Sequence, residues 1–218
     1  ELSRGVGIAM NPQNGEILAM VSLPTFDNRQ FIGGIGQNEY QELINNPDNP
    51  LLNRAIAGEF APASTVKPLL AAAFLEERVV TPETKINDPE GRLVVPNPYD
   101  PANPSIFPDW KVHGESDVYK AISDSVNVFY YTFGGGTPDY TGLGIEKIIA
   151  YYQAFGFGER TGIDLPGERA GLVANPTWKQ ETHNQSWLLG DTYNVSIGQG
   201  GMLTTPLQVL NATAAIAN

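Results

Sequence analysis

Pro62-Ala63-Ser64-Thr65-Val66-Lys67-Pro68, followed at once by Leu69-Leu70-Ala71-Ala72-Ala73-Phe74-Leu75, is the stretch that decides how this chain is read. It sets a hydroxyl and an amine three residues apart at the head of an apolar run. On a helix, side chains at that spacing share a face. A serine beside a lysine that can take its proton is one way to make an acylating nucleophile. With 9 serines and 6 lysines in 218 residues, chance alone supplies roughly 0.25 such matches. The competing reading is a capping serine beside a solvated lysine. Position favours the sharper one. A proline inside a helix costs about 3 kcal/mol unless it falls in the first turn, where backbone amides have no helical partner. Pro68 therefore predicts a helix that begins at or just before Ser64 and runs to Glu77, with Val66, Leu69, Leu70, Ala73 and Phe74 at helical spacing. Ser64 then sits at the positive end of the helix dipole, where a developing oxyanion is stabilised. Lys67, at the head of the most apolar helix, is expected to be desolvated, which lowers the pKa of an amine and lets it act as a base.

Working outward, Ser116 to Phe133 is apolar at Val118, Ile122, Val126, Phe129, Tyr130 and Phe133, and reads as one helix or as two with a break near Ser125. Gly134-Gly135-Gly136 ends it. Ser125-Val126-Asn127 lies at that break. A helix-break cap explains it blandly; beside a partner site it supplies a second hydroxyl to relay protons and an amide to hold a carbonyl. Val6–Asn11 and Glu16–Ser22, joined by Asn11-Pro12-Gln13-Asn14-Gly15, predict an antiparallel hairpin. Pro24–Gly36 reads as loop and Glu39–Asn46 as a short helix stopped by Pro47 and Pro50. Thr81–Pro108 is rich in proline and reads as irregular and exposed. Ile145, Ile148, Ile149, Tyr152 and Phe155 mark an amphipathic helix closed by Gly156. Asn175-Pro176 and Thr205-Pro206-Leu207-Gln208 are helix starts, the second with a capping box. The aromatics Phe129, Tyr130, Tyr131, Tyr151 and Tyr152 are read as core.

Other chemistries fit poorly. His113 and His183 lie far apart, and no Gly-x-Ser-x-Gly elbow is present to build a serine–histidine–aspartate triad. Asp109, His113 and Asp88 could in principle ligate a metal, but scattered ligands without cysteine are more often surface residues, so no metal and no cofactor is assigned. Gly198-Gln199-Gly200-Gly201 does not sit between a strand and a helix as a phosphate loop requires. The chain has no cysteine, which excludes disulfides and thiolate sites, and a hydrophobic content of 41% supports a core. A net charge of −11 argues against nucleic-acid binding. No apolar run approaches the roughly 18 residues of a membrane span. Glu1-Leu2-Ser3-Arg4 leads almost directly into the first strand, as if cut from something longer.

Taken together, these segments resemble the transpeptidase domain of class B penicillin-binding proteins, most of all the elongation-type penicillin-binding protein 2 branch. The likeness runs through Gly7–Pro12, Gly15–Ser22, Pro24 and Phe26-Asp27-Asn28, Asn53-Arg54-Ala55, Pro62–Pro68 and Ser125–Tyr130. It is strongest at Thr161-Gly162-Ile163-Asp164-Leu165-Pro166-Gly167-Glu168, Gly190-Asp191, Ser196-Ile197-Gly198-Gln199-Gly200 and Thr205–Gln208. Two departures stand out. Ala63 occupies a place where the family usually has glycine. The family's third motif, Lys-Thr-Gly or Lys-Ser-Gly, does not occur, and Arg160-Thr161-Gly162 belongs to the Thr161–Glu168 string.

The resemblance implies a mixed α/β (α+β) fold of the β-lactamase-like class, an antiparallel sheet flanked by helices. It implies a peptidoglycan D,D-transpeptidase that cross-links stem peptides through a serine acyl-enzyme and is inhibited by β-lactam antibiotics. In that reading Ser64 is the nucleophile, Lys67 the base for acylation, Ser125 the proton shuttle and Asn127 the residue that binds the acyl chain's amide. The Ser64 N–H supplies half of an oxyanion hole. Expected partners are stem peptides, β-lactams, cell-wall elongation proteins and the C-terminal remainder of the domain. The expected location is the outer face of the bacterial cytoplasmic membrane, with an anchor outside this sequence. Residues 1–218 are then the N-terminal and central part of one transpeptidase domain, short of the last three strands of a five-stranded sheet, and we expect them to fold stably only with that remainder. The alternatives are a β-lactamase-like or β-lactam-sensing serine acylase, and a non-catalytic fragment or scaffold.

Overall fold

The computed structural model describes residues 4–97 and 100–218. The reading of the first three residues, and of the 98–99 step within Thr81–Pro108, lies outside the described residues. In chain order the elements are β1 (Gly5–Met10), β2 (Ile17–Leu23), α1 (Gln37–Asn45), α2 (Arg54–Ala57), α3 (Lys67–Glu76), β3 (Ile86–Asp88), β4 (Arg92–Val95), β5 (Ser105–Pro108), β6 (Gly114–Ser116), α4 (Val118–Ser123), α5 (Asn127–Gly135), α6 (Ile145–Ala154), α7 (Pro176–His183), α8 (Leu189–Val195) and α9 (Pro206–Ala217). They fall into two compact units, one of residues 1–60, 156–171 and 204–218, the other of residues 61–155 and 172–203.

The first unit is built on the hairpin. β1 and β2 pair antiparallel from Gly5↔Leu23 to Ala9↔Ala19, with a bulge before Met10. The turn forms because Asn11 and Asn14 accept the amides of Gln13 and Glu16 with their side chains, both at 3.0 Å, and Gly15 takes a φ of +75° that a Cβ would oppose. Val6, Ile8, Met10, Ile17 and Met20 face one side and pack on Ala55, Ile56 and Leu207, as does Ile163. Leu18, Val21 and Leu23, on the same strand pair, are exposed. The Thr161–Glu168 string is held shut by its own last residue. The buried Glu168 carboxylate accepts from Thr161 N at 2.8 Å and Gly162 N at 3.1 Å. α9 opens with the expected capping box, Gln208 N to Thr205 Oγ1 at 3.2 Å and Thr205 N to Gln208 Oε1 at 2.8 Å.

The second unit is centred on α3 and α5. Leu69, Leu70, Ala73 and Phe74 of α3 are buried, as are Val128, Phe129, Tyr130, Tyr131 and Phe133 of α5. Within α5, Phe129 and Phe133 meet edge to face at 4.7 Å between centroids, and Phe74 of α3 packs tilted on Tyr130 at 5.8 Å. Of the five aromatics read as core, four are buried and Tyr151 is half-buried, its hydroxyl donating to Glu77 at 3.0 Å. The Ser116–Phe133 run is two helices, α4 and α5, broken where expected: Ser125 has a φ of +56°.

Two expectations are corrected. Thr81–Pro108 is not irregular throughout. It contains β3, β4 and β5, with β3 paired to β6 and β4 to β5, both antiparallel. Its prolines fall between or at the ends of these strands, which leaves Arg92–Val95 and Ser105–Phe107 free to form a ladder. The α-helix of the opening motif begins at Lys67, and Ser64 sits on a 3-10 turn, Ala63–Val66, that leads into it. Pro68 still lies in the first turn, as its missing N–H demands. α8 had no sequence signal of its own; the Asp191 carboxylate caps it by accepting the Leu188 N–H at 2.7 Å.

Candidate active site

The site is assembled within the second unit, from α3 and the α4–α5 break. The 3-10 turn leaves Ser64 exposed, and the Ser64 carbonyl accepts the Lys67 N–H. The amides on either side of Ser64 are engaged, Ala63 N by Gly198 O at 2.9 Å and Thr65 N by Pro62 O at 3.3 Å. Ala63 has a φ of +49°, in the left-handed region where glycine carries no steric penalty. Gly198, at φ +71°, lies so close that a Cβ there would overlap the Ala63 carbonyl.

Lys67 is 1% exposed. Its Nζ donates to Ser125 O at 2.7 Å, to Ser125 Oγ at 3.1 Å and to Asn127 Oδ1 at 2.6 Å. An ammonium has three N–H donors, so in this state all of them point at Ser125 and Asn127 rather than at Ser64. The left-handed turn at Ser125 is what aims both its carbonyl and its hydroxyl at the amine. Burial pushes the Lys67 amine down to about 8, and the Asp109 carboxylate pulls the other way. Such a group still holds a proton at neutral pH yet can exist in part as a free base.

Structure thus brings Lys67, Ser125 and Asn127 into mutual contact and leaves Ser64 one turn ahead of Lys67. It also brings in residues that the sequence reading did not assign to this site. Asp109 Oδ2 accepts the Val128 N–H at 2.9 Å and so caps α5 from a distant segment. Trp110 Nε1 donates to Asp124 O at 3.1 Å, which pins the turn just before Ser125. The Tyr130 ring lies under Lys67, 5.3 Å from Nζ to the centroid. Neither Asp109 nor Trp110 carries a local signal, because each acts on a turn well over ten residues away. The weighed metal ligands behave otherwise. Asp88 Oδ1 accepts from Gly91 and Arg92 amides, Asp109 faces His113 at 3.4 Å, and among the described residues no set of three such groups has metal-holding geometry. His183 is stacked edge-on with Trp178 at 5.1 Å. An apolar cavity of about 630 Å³ lies at the other end of α5, against Gly135, Gly136 and Tyr193, remote from Asn127.

The penicillin binding protein transpeptidase domain family matches residues 5–218. The chain belongs to the penicillin-binding protein transpeptidase family. It is 39% identical over 217 residues to the peptidoglycan D,D-transpeptidase MrdA of Haemophilus influenzae, covering 99% of this chain and 32% of that protein. Against the MrdA of Acinetobacter baumannii the identity is 41%, with 99% and 30% covered. The chain spans about a third of the length of these curated relatives. Among solved structures, penicillin-binding protein 2 of Pseudomonas aeruginosa in complex with WCK 5153 superposes with a TM-score of 0.89 at 38% identity, over 99% of this chain and 47% of that one. Penicillin-binding protein 2 of Helicobacter pylori in complex with MreC gives a TM-score of 0.88 at 40% identity, over 99% and 38%. The mixed helix-and-sheet fold expected from the family strings is therefore the fold of this chain.

Proposed function

We propose that this chain carries the nucleophile half of a peptidoglycan D,D-transpeptidase. The observation that carries the reading is the buried Lys67 amine, bonded to Ser125 and Asn127 and pushed down to about 8. As free base, Lys67 takes the proton of Ser64 Oγ while that oxygen attacks the penultimate D-Ala carbonyl of a stem peptide. The tetrahedral oxyanion is met by the Ser64 N–H, one of the donors such a hole needs. The C–N bond to the terminal D-Ala then breaks. Ser125 Oγ, bonded to Lys67, passes the proton to the departing amine. Asn127 holds the acyl chain's amide. An amine from a neighbouring stem then takes the acyl group and frees Ser64. A β-lactam enters the same path, and its ring-opened amine stays tethered.

The remaining roles follow the relatives. MrdA supports a peptidoglycan D,D-transpeptidase, and the H. pylori penicillin-binding protein 2 complex supports a partner of the MreC kind; the elongation role and the outer face of the cytoplasmic membrane extend the family resemblance.

The test is intact mass of the full-length protein after benzylpenicillin. A single penicilloyl adduct is expected on wild type, none on Ser64→Ala, and acylation slowed at least a hundredfold in Lys67→Ala. An adduct that persists in Ser64→Ala would sink the nucleophile assignment.

A further inference from the structure

The ring of Tyr130 lies against the Lys67 amine, and nothing in the reaction just described uses it. Tyr130 is fully buried, packed on Phe74 at 5.8 Å and Phe129 at 5.7 Å. Its hydroxyl has no hydrogen-bond partner among the described residues. The polar tip therefore does not explain why this ring sits here, whereas its face meets Lys67 Nζ at 5.3 Å. A cation over an aromatic face is attracted by the ring quadrupole, and more strongly when water is excluded.

The other groups bearing on Lys67 can be named. Ser125 and Asn127 accept its N–H groups. Asp109, from the segment after β5, adds a favourable charge. Asp124, on the α4–α5 turn, faces Lys111 at 3.7 Å and His113 at 3.9 Å. α3 carries no second titratable residue before Glu76, and α6 turns the hydroxyl of its buried Tyr152 to Val195 O. Burial of a lone amine opposes charge, and a base left wholly neutral would lose the ammonium that the Ser125 shuttle needs.

We propose that Tyr130 is a positioning residue whose ring face favours the ammonium form of Lys67 over Ser125 and Asn127, and so sets the pH at which Ser64 becomes reactive. The inference rests on Lys67 acting as the base for Ser64. Removing the face while keeping the shape should lower the pH at which the free base appears. The usual strength of a cation over an aromatic face corresponds to a shift of about 0.4 to 1.5 pH units.

The experiment is the pH profile of benzylpenicillin acylation of the full-length protein, with Tyr130→Phe, Tyr130→pentafluorophenylalanine and Tyr130→Leu. The phenylalanine variant keeps the face and should keep the wild-type midpoint. The fluorinated ring has nearly the same shape and a weakened face, so its midpoint should fall by about 0.4 to 1.5 units. Tyr130→Leu should move the same way. Stoichiometric acylation and thermal unfolding confirm that each variant is folded. An unchanged midpoint in the folded fluorinated variant would overturn the proposal, as would a fall in Tyr130→Phe as large as in the fluorinated protein. If Lys67→Ala acylates as fast as wild type, the reading of Lys67 as base fails instead, and with it the ground for this inference.

Discussion

Two side chains in the site are held in states their chemistry resists. Lys67 is an amine buried to 1% exposure, and Ala63 is an alanine at φ +49°. The left-handed conformation costs an L-residue roughly 1–2 kcal/mol, part of which glycine would return to the unfolded chain as entropy. We predict that Ala63→Gly raises stability by about 1 kcal/mol, read by thermal unfolding, and leaves Ser64 acylation intact. A drop in melting temperature would mean that the alanine methyl packs productively there. Lys67 and its partners were legible in sequence as types and spacing. Their geometry was not, because the three bonds of Nζ depend on the left-handed turn at Ser125, which comes from the Ala121–Val126 backbone path and not from any residue preference for it.

At the scale of elements, α9 and α5 contrast. α9 is opened by neighbours in sequence, and its Gln208 also reaches outward, with Nε2 donating to Glu159 O and Ala170 O, each at 2.7 Å. Thr205→Ala removes one cap and should cost about 1 kcal/mol. Gln208→Ala strands the buried Thr205 N–H and the part-buried carbonyls of Glu159 and Ala170, so a loss of roughly 3 kcal/mol is expected. Urea denaturation of both variants checks the order; equal losses would refute it. Signals of this local kind are what the sequence displays. Asn175 capping Trp178 N at 2.8 Å and Pro68 in the first turn of α3 were readable for that reason. α5 is capped instead by Asp109, 19 positions upstream. β3 finds its partner in β6, beyond the intervening β4–β5 pair. Strands of three and four residues paired at such distance leave no periodicity to detect, and the surrounding prolines mask them.

Across the whole molecule the same buried amine writes a signature into stability against pH. Lys67 has a folded pKa of about 8 against 10.5 for an exposed lysine. Between those values the unfolded chain holds more protons than the folded one, so stability rises with pH in that window. The sign reverses for the tyrosines. Burial pushes Tyr131 up to about 12 and raises Tyr130 and Tyr152 as well. Their stabilising contribution is complete below pH 10 and is lost as pH rises above it. We predict that wild type gains on the order of 3 kcal/mol relative to Lys67→Met between pH 8 and 10.5, measured as the difference between their denaturation free energies. A flat difference across that window would show that Lys67 is solvated in the folded protein.

The close approach of Gly198 to Ala63 carries a consequence for how this protein can evolve. Any side chain at position 198 displaces the peptide unit that precedes Ser64. Under the function proposed above, a population under antibiotic selection gains nothing there, because a change that spares Ser64 from the drug also withdraws it from the cell wall. On that reading, heritable tolerance arises at positions that touch the drug without moving Ser64. Deep mutational libraries grown with and without a β-lactam should return glycine alone at position 198 in both arms.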